Sequence, residues 1–96
     1  MNVGFSRRAR RDLEEIFDYI ASDNPEAARR VCRAILDTIK LVSTRPHIGI
    51  RNARSRELKS RLVSRYPYRV HYLLREKEIF VVHIRHTARR AWHGER

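Results

Sequence analysis

Residues 66–86 read YPYRVHYLLREKEIFVVHIRH, two runs of alternating side chains on either side of the polar sequence REKE at 75–78. Successive side chains of a β-strand point to opposite faces of the sheet, so every second residue shares a face. The apolar sets expected to pack inward are Tyr68, Val70, Tyr72 and Leu74 in the first run and Phe80, Val82 and Ile84 in the second. The pattern predicts two antiparallel strands joined by a short turn.

The side chains that alternate with these apolar sets include arginines and histidines. Arg69 and His71 alternate with the first apolar set, and His83 and Arg85 alternate with the second. If the apolar sets pack inward, these four side chains lie together on the open face of the sheet. Arginine binds phosphate or carboxylate through a flat pair of donors, and histidine titrates near neutral pH. The alternation therefore predicts an anion-binding face and a candidate site for phosphate chemistry.

Residues 58–63 alternate less clearly and predict a third strand, so that the second half of the chain forms an antiparallel meander. Cations from this strand and the turn after it are expected to join the open face. The predicted basic sheet face is Lys59, Arg61, Arg65 and Arg69.

The end of the chain is expected to leave the sheet as a basic tail. His86 should fall on the other face or at the strand end, and Arg89, Arg90 and Trp92 follow it. Trp92 is the only tryptophan. It either packs back on the helices, as most tryptophans are largely buried, or anchors a partner.

The first half of the chain predicts two helices. Ser6 can cap a helix whose apolar residues recur at helical spacing over 9–20, and Asn24 with Pro25 marks the start of a second. Pro46 ends that helix, and Gly49 allows a positive φ in the following turn. A short strand at 2–5 precedes both helices, and its place in the sheet stays open.

The elements together predict an α+β domain over residues 1–96. Its order is β-α-α-β-β-β, with the helical hairpin packed on a mainly antiparallel sheet. The stripe of the second helix that should face the sheet is Val31, Ile35, Ile39 and Val42.

Charge is the dominant feature of the composition. The chain has 96 residues with 22 Lys+Arg and 11 Asp+Glu, a net charge of +11, and residues 38–96 carry that whole excess. Such a balance predicts an anionic partner, either nucleic acid or an acidic protein surface. A single cysteine fits a reducing compartment, no apolar run approaches a membrane span, and we expect a cytoplasmic protein without cofactor or metal.

Five segments in this order resemble the ParE/RelE superfamily of toxins from bacterial type II toxin–antitoxin systems, and most closely its ParE-like branch. They are ARRDLEEIFDYIASDNPEAAR (9–29), RPHIG (45–49), REL (56–58), YPYRVHY (66–72) and HTAR (86–89). The resemblance implies the β-α-α-β-β-β fold, a growth-inhibiting toxin and neutralisation by a cognate, ParD-like antitoxin.

The two branches of the superfamily imply different activities. ParE-like members inhibit DNA gyrase by binding, whereas RelE-like members cleave mRNA on the ribosome. The target-binding residues expected for a gyrase inhibitor are Arg85, His86, Arg89, Arg90 and Trp92. The residues expected to act in a metal-independent ribonuclease are Arg69, His71, His83, Arg85 and Arg89. A third hypothesis is a member that binds antitoxin and nucleic acid without toxicity.

Departures from the nuclease pattern favour the gyrase inhibitor. Arg69 matches an arginine that RelE-like nucleases use, and Arg89 roughly matches another. Their strand lysines are not reproduced cleanly by Lys59 and Arg61, and Trp92 or His93 stands about where their C-terminal tyrosine would be. Even within the ParE-like branch, Arg90 replaces an often acidic residue.

Overall fold

Each helix begins directly after a residue whose side chain caps it. The structure, a computed structural model, describes residues 1–52 and 55–88, apart from the side chain of Arg56. Strand β1 (Asn2–Phe5) leads into α1 (Arg7–Ala21), where the backbone N–H of Ala9 donates to Ser6 Oγ at 3.0 Å. Helix α2 (Pro25–Thr44) starts with the N–H of Ala27 donating to Asn24 Oδ1 at 3.1 Å. The predicted caps are therefore confirmed.

Four strands follow the helices, one more than the sequence pattern predicted. They are β2 (Ile50–Asn52), β3 (Ser55–Leu62), β4 (Tyr68–Arg75) and β5 (Glu78–His86). The sheet has the order β1-β5-β4-β3-β2, antiparallel throughout except that β1 pairs with β5 in parallel. Strand β2 has only three residues, too few for a period of two to be visible in the sequence.

The helical hairpin covers one face of this sheet and forms the main core with it. From α2 the core takes Val31, Ile35, Ile39 and Val42, the four residues predicted for it. From β4 and β5 it takes Tyr68, Val70, Tyr72, Ile79, Val81 and Ile84, and Val63 joins them directly after β3. Neither helix in the described ranges 1–52 and 55–88 is long and apolar enough to cross a membrane.

The strand β5 departs from strict alternation at a bulge. His71 pairs with His83, but the next residue, Tyr72, pairs with Val81, so Val82 is the extra residue on β5. Ile79 and Val81 therefore face the helices together with Ile84. The prediction that Phe80 and Val82 pack on the helices was wrong: Val82 forms a second cluster with Leu58 and Leu73, and Phe80 packs against it.

The turn after α2 is closed by a buried tyrosine hydroxyl. Tyr72 Oη donates to the Pro46 carbonyl at 2.9 Å and accepts from the Gly49 N–H at 3.1 Å. The φ of Gly49 lies outside the left-handed region, so the turn does not use the positive φ that glycine allows. What the turn requires at Gly49 is space, because a Cβ there would lie 3.0 Å from the Ser60 carbonyl oxygen and would overlap the Tyr72 hydroxyl.

We expect Gly49→Ala to destabilise the fold by about 1–3 kcal/mol, the usual cost of forcing an atom into a packed site. Urea unfolding followed by circular dichroism measures the loss. His47→Ala is the matched control, since His47 is exposed in the same turn. Equal stability of the two variants would show that the turn can move away from Tyr72.

Candidate functional site

Arg69 and Arg85 face each other across β4 and β5, and His71 faces His83 one pair further along the ladder. Directly opposed residues of an antiparallel pair point to the same side of the sheet. The register therefore places all four on the face of the sheet opposite the main core, as the alternation predicted. We call Arg69 and Arg85 the arginine pair.

The two imidazoles lie inside the protein rather than on an open surface. Their rings stack with centroids 5.8 Å apart and an interplanar angle of 20°, and His71 and His83 are only 5% and 6% exposed. Burial lowers the pKa of His71 to about 3, assisted by the nearby charges of His83, Arg85 and Arg69. His71 is therefore a neutral imidazole at pH 7.

A carboxylate from α1 holds the second imidazole. Asp12 Oδ2 lies 2.6 Å from His83 Nδ1 and accepts the backbone N–H of Ile84 at 2.9 Å. A hydrogen bond to a carboxylate places the proton on Nδ1 and orients the ring. We call Asp12, His71 and His83 the histidine cluster, and its geometry joins the first helix to the last strand.

Beyond the end of β1, Ser6 and Asp12 continue the hydrogen bonding to the backbone of β5. The Ser6 N–H donates to the Val81 carbonyl at 2.9 Å, and Ser6 Oγ donates to the Val82 carbonyl at 2.8 Å. Asp12 then receives the N–H of Ile84. These bonds satisfy backbone groups of β5 around the bulge that a longer β1 would otherwise pair. Sequence reasoning assigned Ser6 only as a cap and gave Asp12 no role.

Arg69 is anchored by the neighbouring strand. Its Nη1 donates to Ser60 Oγ at 2.8 Å, and burial together with the charge of Arg85 lowers its pKa. Arg85 Nη1 donates to the His86 carbonyl at 3.1 Å. Arginine stays protonated in proteins. The arginine pair is therefore a fixed positive site at the edge of the histidine cluster, suited to bind an anion.

The other three members of the predicted basic sheet face do not join Arg69. Lys59 pairs with Tyr72, and Arg61 pairs with Val70, so both lie on the helix side of the sheet. The outer positions of β3 are Leu58, Ser60 and Leu62. The physical reason is that Val63 enters the main core, which sets the parity of β3. Arg65 lies in the turn after β3 with φ 74°, beside side chains of α2.

The predicted target-binding residues are divided by the end of β5. Arg85 points to the outer face, whereas His86 pairs with Tyr68 on the helix side, where the rings meet edge to face at 5.2 Å. This is one of the two placements expected for His86. Arg89, Arg90 and Trp92 lie outside the described residues.

The chain matches the family model of the ParE toxin of the type II toxin–antitoxin system parDE over residues 3–91. It belongs to the ParE toxin family. The match begins within β1 and spans both helices and the four later strands, together with the arginine pair and the histidine cluster. The predicted resemblance to the ParE-like branch is confirmed.

A solved structure supports the ParE fold assignment independently. The chain superposes with a TM-score of 0.75 on a chain of the chromosomal ParDE TA system from P. aeruginosa, with 23% sequence identity. The alignment covers 90% of this chain and 95% of that one. At this identity the likeness shows the fold alone. No curated protein matches the chain significantly.

The arginine pair of this ParE-family chain presents two guanidinium groups, but both imidazoles of the histidine cluster are buried and poorly placed for proton transfer. A general base must reach the proton that it abstracts, with a pKa near the working pH. His71 is buried with a pKa of about 3, and His83 is buried against Asp12. In the described ranges, 1–52 and 55–88, no three His, Cys, Asp or Glu side chains are grouped to hold a metal ion.

Proposed function

We propose that this ParE-family chain is a toxin that inhibits DNA gyrase by binding and is neutralised by a cognate, ParD-like antitoxin. The observation that carries the proposal is the family match over residues 3–91. These partners place its action in the cytoplasm.

Burial of the histidine cluster favours binding over cleavage. Metal-independent RNA cleavage needs a base and an acid within reach of the substrate. Of the five residues expected for that chemistry, His71 and His83 are buried, and Arg69 is bonded to Ser60. A ribosome-dependent ribonuclease is the alternative function, because the two adjacent guanidinium groups of the arginine pair suit a phosphate. A non-toxic member that binds antitoxin and nucleic acid is the third outcome.

An apolar groove on the helical hairpin is the proposed antitoxin site. It has a volume of about 750 Å³ and is lined by the apolar residues Leu13, Phe17, Cys32 and Leu36, together with the charged residues Arg10, Glu14 and Asp18. Leu36 is 46% exposed. Exposed apolar surface bordered by polar groups marks protein–protein contacts. With a net charge of +11, the chain favours an acidic, amphipathic antitoxin segment.

Two assays with the purified chain test the proposed target. We expect inhibition of supercoiling by DNA gyrase and no cleavage of a reporter mRNA on translating ribosomes. Cleavage without gyrase inhibition would establish the ribonuclease instead, and neither activity would leave the non-toxic member. Co-expression with the antitoxin should restore growth in cells that the chain arrests.

A double variant of two predicted target-binding arginines can be compared with the wild type in these assays. Arg85→Ala with Arg89→Ala should abolish gyrase inhibition and growth arrest, because both guanidinium groups are assigned to the target contact. Arg7→Ala with Arg11→Ala removes the same charge from the exposed surface of α1 and is the matched control. Antitoxin binding should survive in both double variants; its equal loss with toxicity at positions 85 and 89 would show a structural role.

A further inference from the structure

A groove of about 400 Å³ lies between α2 and the turn that joins β3 to β4. Arg30 and Arg33 line it from the helix, and Arg65 lines it from the turn. Residues three apart on a helix are neighbours on its surface, so the two helical arginines lie side by side. The groove therefore brings together three arginines from two separate elements.

The chain does not neutralise these three arginines with carboxylates. In the ranges that the structure describes, 1–52 and 55–88, none of them forms an ion pair, and the carboxylate of Glu26 is bonded to Arg29 instead. Asp37 is the one acidic residue among the described residues that line the groove, which leaves the lining with two net positive charges at pH 7. A phosphate monoester carries a charge of about −1.5 to −2 at this pH, more than a single carboxylate. The charge of the groove therefore matches a phosphate group.

The backbone at Arg65 has a conformation that glycine usually adopts. Its φ is 74°, the only positive φ of a non-glycine residue in the described part of the chain. A Cβ is unfavourable in this region, so an arginine here loses stability relative to glycine. Two backbone hydrogen bonds close the turn, from the Val63 N–H to the Tyr68 carbonyl at 2.9 Å and from the Tyr68 N–H to the Tyr66 carbonyl at 2.8 Å. Strained residues of this kind cluster at ligand-binding sites, so Arg65 is a second indication of a bound group.

The rest of the groove offers contacts for an organic group. Leu41, which is 37% exposed, contributes an apolar side chain from α2, and the half-buried Tyr66 contributes an aromatic ring from the turn. Ser64 adds an exposed hydroxyl group, which can donate a hydrogen bond to a ligand oxygen. Small-molecule sites have volumes of about 300–1,000 Å³, so the groove has room for a phosphate with a group attached to it.

We propose that this groove binds a phosphate dianion, either as free phosphate or as the monoester of a nucleotide. Arg30, Arg33 and Arg65 donate to the phosphate oxygens, because guanidinium groups bind phosphate through paired donors. Tyr66 and Leu41 contact an attached nucleoside, whose base can stack on the tyrosine ring. The site shares no residue with the arginine pair or with the apolar groove proposed for the antitoxin, and it does not depend on the proposed function.

Isothermal titration of the full-length chain at low salt and neutral pH tests the site. We expect adenosine 5′-monophosphate to bind and adenosine, which lacks the phosphate, to bind at least tenfold more weakly. Inorganic phosphate distinguishes the two sources, because binding weaker than that of the monophosphate assigns a nucleotide and equal binding assigns free phosphate. Equal binding of adenosine and its monophosphate, no binding of either phosphate probe, or tighter binding of an acidic peptide would overturn the proposal.

A double variant locates the bound phosphate on this basic chain. Arg33→Ala with Arg65→Gly removes two of the three guanidinium groups and should weaken binding of adenosine 5′-monophosphate at least tenfold. Arg7→Ala with Arg11→Ala removes the same charge from the exposed surface of α1 and should bind as the wild type does. Unchanged binding by the groove variant, or an equal loss in the control, would show that the phosphate does not bind in this groove.

Two single substitutions at Arg65 separate the ligand contact from the backbone conformation. Arg65→Gly and Arg65→Ala remove the same guanidinium group and should weaken binding of the monophosphate equally. Only glycine suits the positive φ, so Arg65→Gly should melt at a higher temperature than the wild type and Arg65→Ala should not. Circular dichroism follows the melting and checks that each variant is folded. Wild-type affinity in both single variants would mean that Arg65 does not contact the phosphate.

Discussion

Asp12→Ala should lower the free energy of unfolding by about 2–6 kcal/mol, because two buried donors lose their shared acceptor at a cost of about 1–3 kcal/mol each. Those donors are His83 Nδ1 and the Ile84 N–H, which both contact Asp12 Oδ2. In a chain of this size each kcal/mol moves Tm by roughly 4–8 °C. Thermal and urea unfolding, followed by circular dichroism, measure the effect.

Two further variants separate the hydrogen bonds from a general effect on α1. Asp12→Asn keeps an oxygen that can accept both bonds and should lose much less stability than Asp12→Ala. Glu14→Ala removes an exposed carboxylate from the same helix and should change the stability by no more than about 0.5 kcal/mol. If all three variants were equally stable, Asp12 would not join α1 to β5 in solution.

Acid should destabilise the wild-type chain through His71. Its pKa is about 3 in the folded protein against 6.5 for a free imidazole, so the unfolded chain takes up the proton first. The stability is complete above pH 6.5 and falls as the pH drops from there toward 3. The slope for one proton is about 1.4 kcal/mol per pH unit, so about 2 kcal/mol should be lost between pH 6.5 and 5.

His71→Phe isolates this contribution, because phenylalanine can still stack on His83 but does not titrate. Urea unfolding at several pH values between 7 and 5 should show a shallower slope for the variant than for the wild type, by one proton. His47→Phe makes the same change at an exposed imidazole and should keep the wild-type slope. Identical slopes for His71→Phe and the wild type would mean that His71 is protonated inside the folded protein.

The helices could be predicted because their signals are local. Ser6, Asn24 and Pro25 mark helix starts through contacts within one turn, and the α2 stripe recurs with the helical period. The ParE-like motifs then gave the family, which the match over residues 3–91 shows. Both depend on residues close together in the chain or on their order along it.

The placement of the strand residues on the two faces of the sheet was predicted in part. The parity of β4 correctly joined Arg69 to Arg85 and His71 to His83. The bulge at Val82 places Phe80 and Val82 on the face opposite to the one predicted. Because Val63 packs in the main core, Lys59 and Arg61 lie on the helix side of the sheet, opposite to Arg69. An unpaired extra residue leaves no mark on a short apolar run, since Ile79, Phe80, Val81 and Val82 are all apolar.

The order of residues alone was enough for the helical hairpin, the strand-rich second half, the positive charge and the family. Only the tertiary structure shows that the two histidines predicted on an open surface are buried. Asp12 contacts His83 although it lies 71 positions away in the chain. The physical reason is the separation along the chain between the residues that determine each feature. Caps and periods arise from neighbours along the backbone, whereas burial, pKa and strand parity depend on which distant segments pack together.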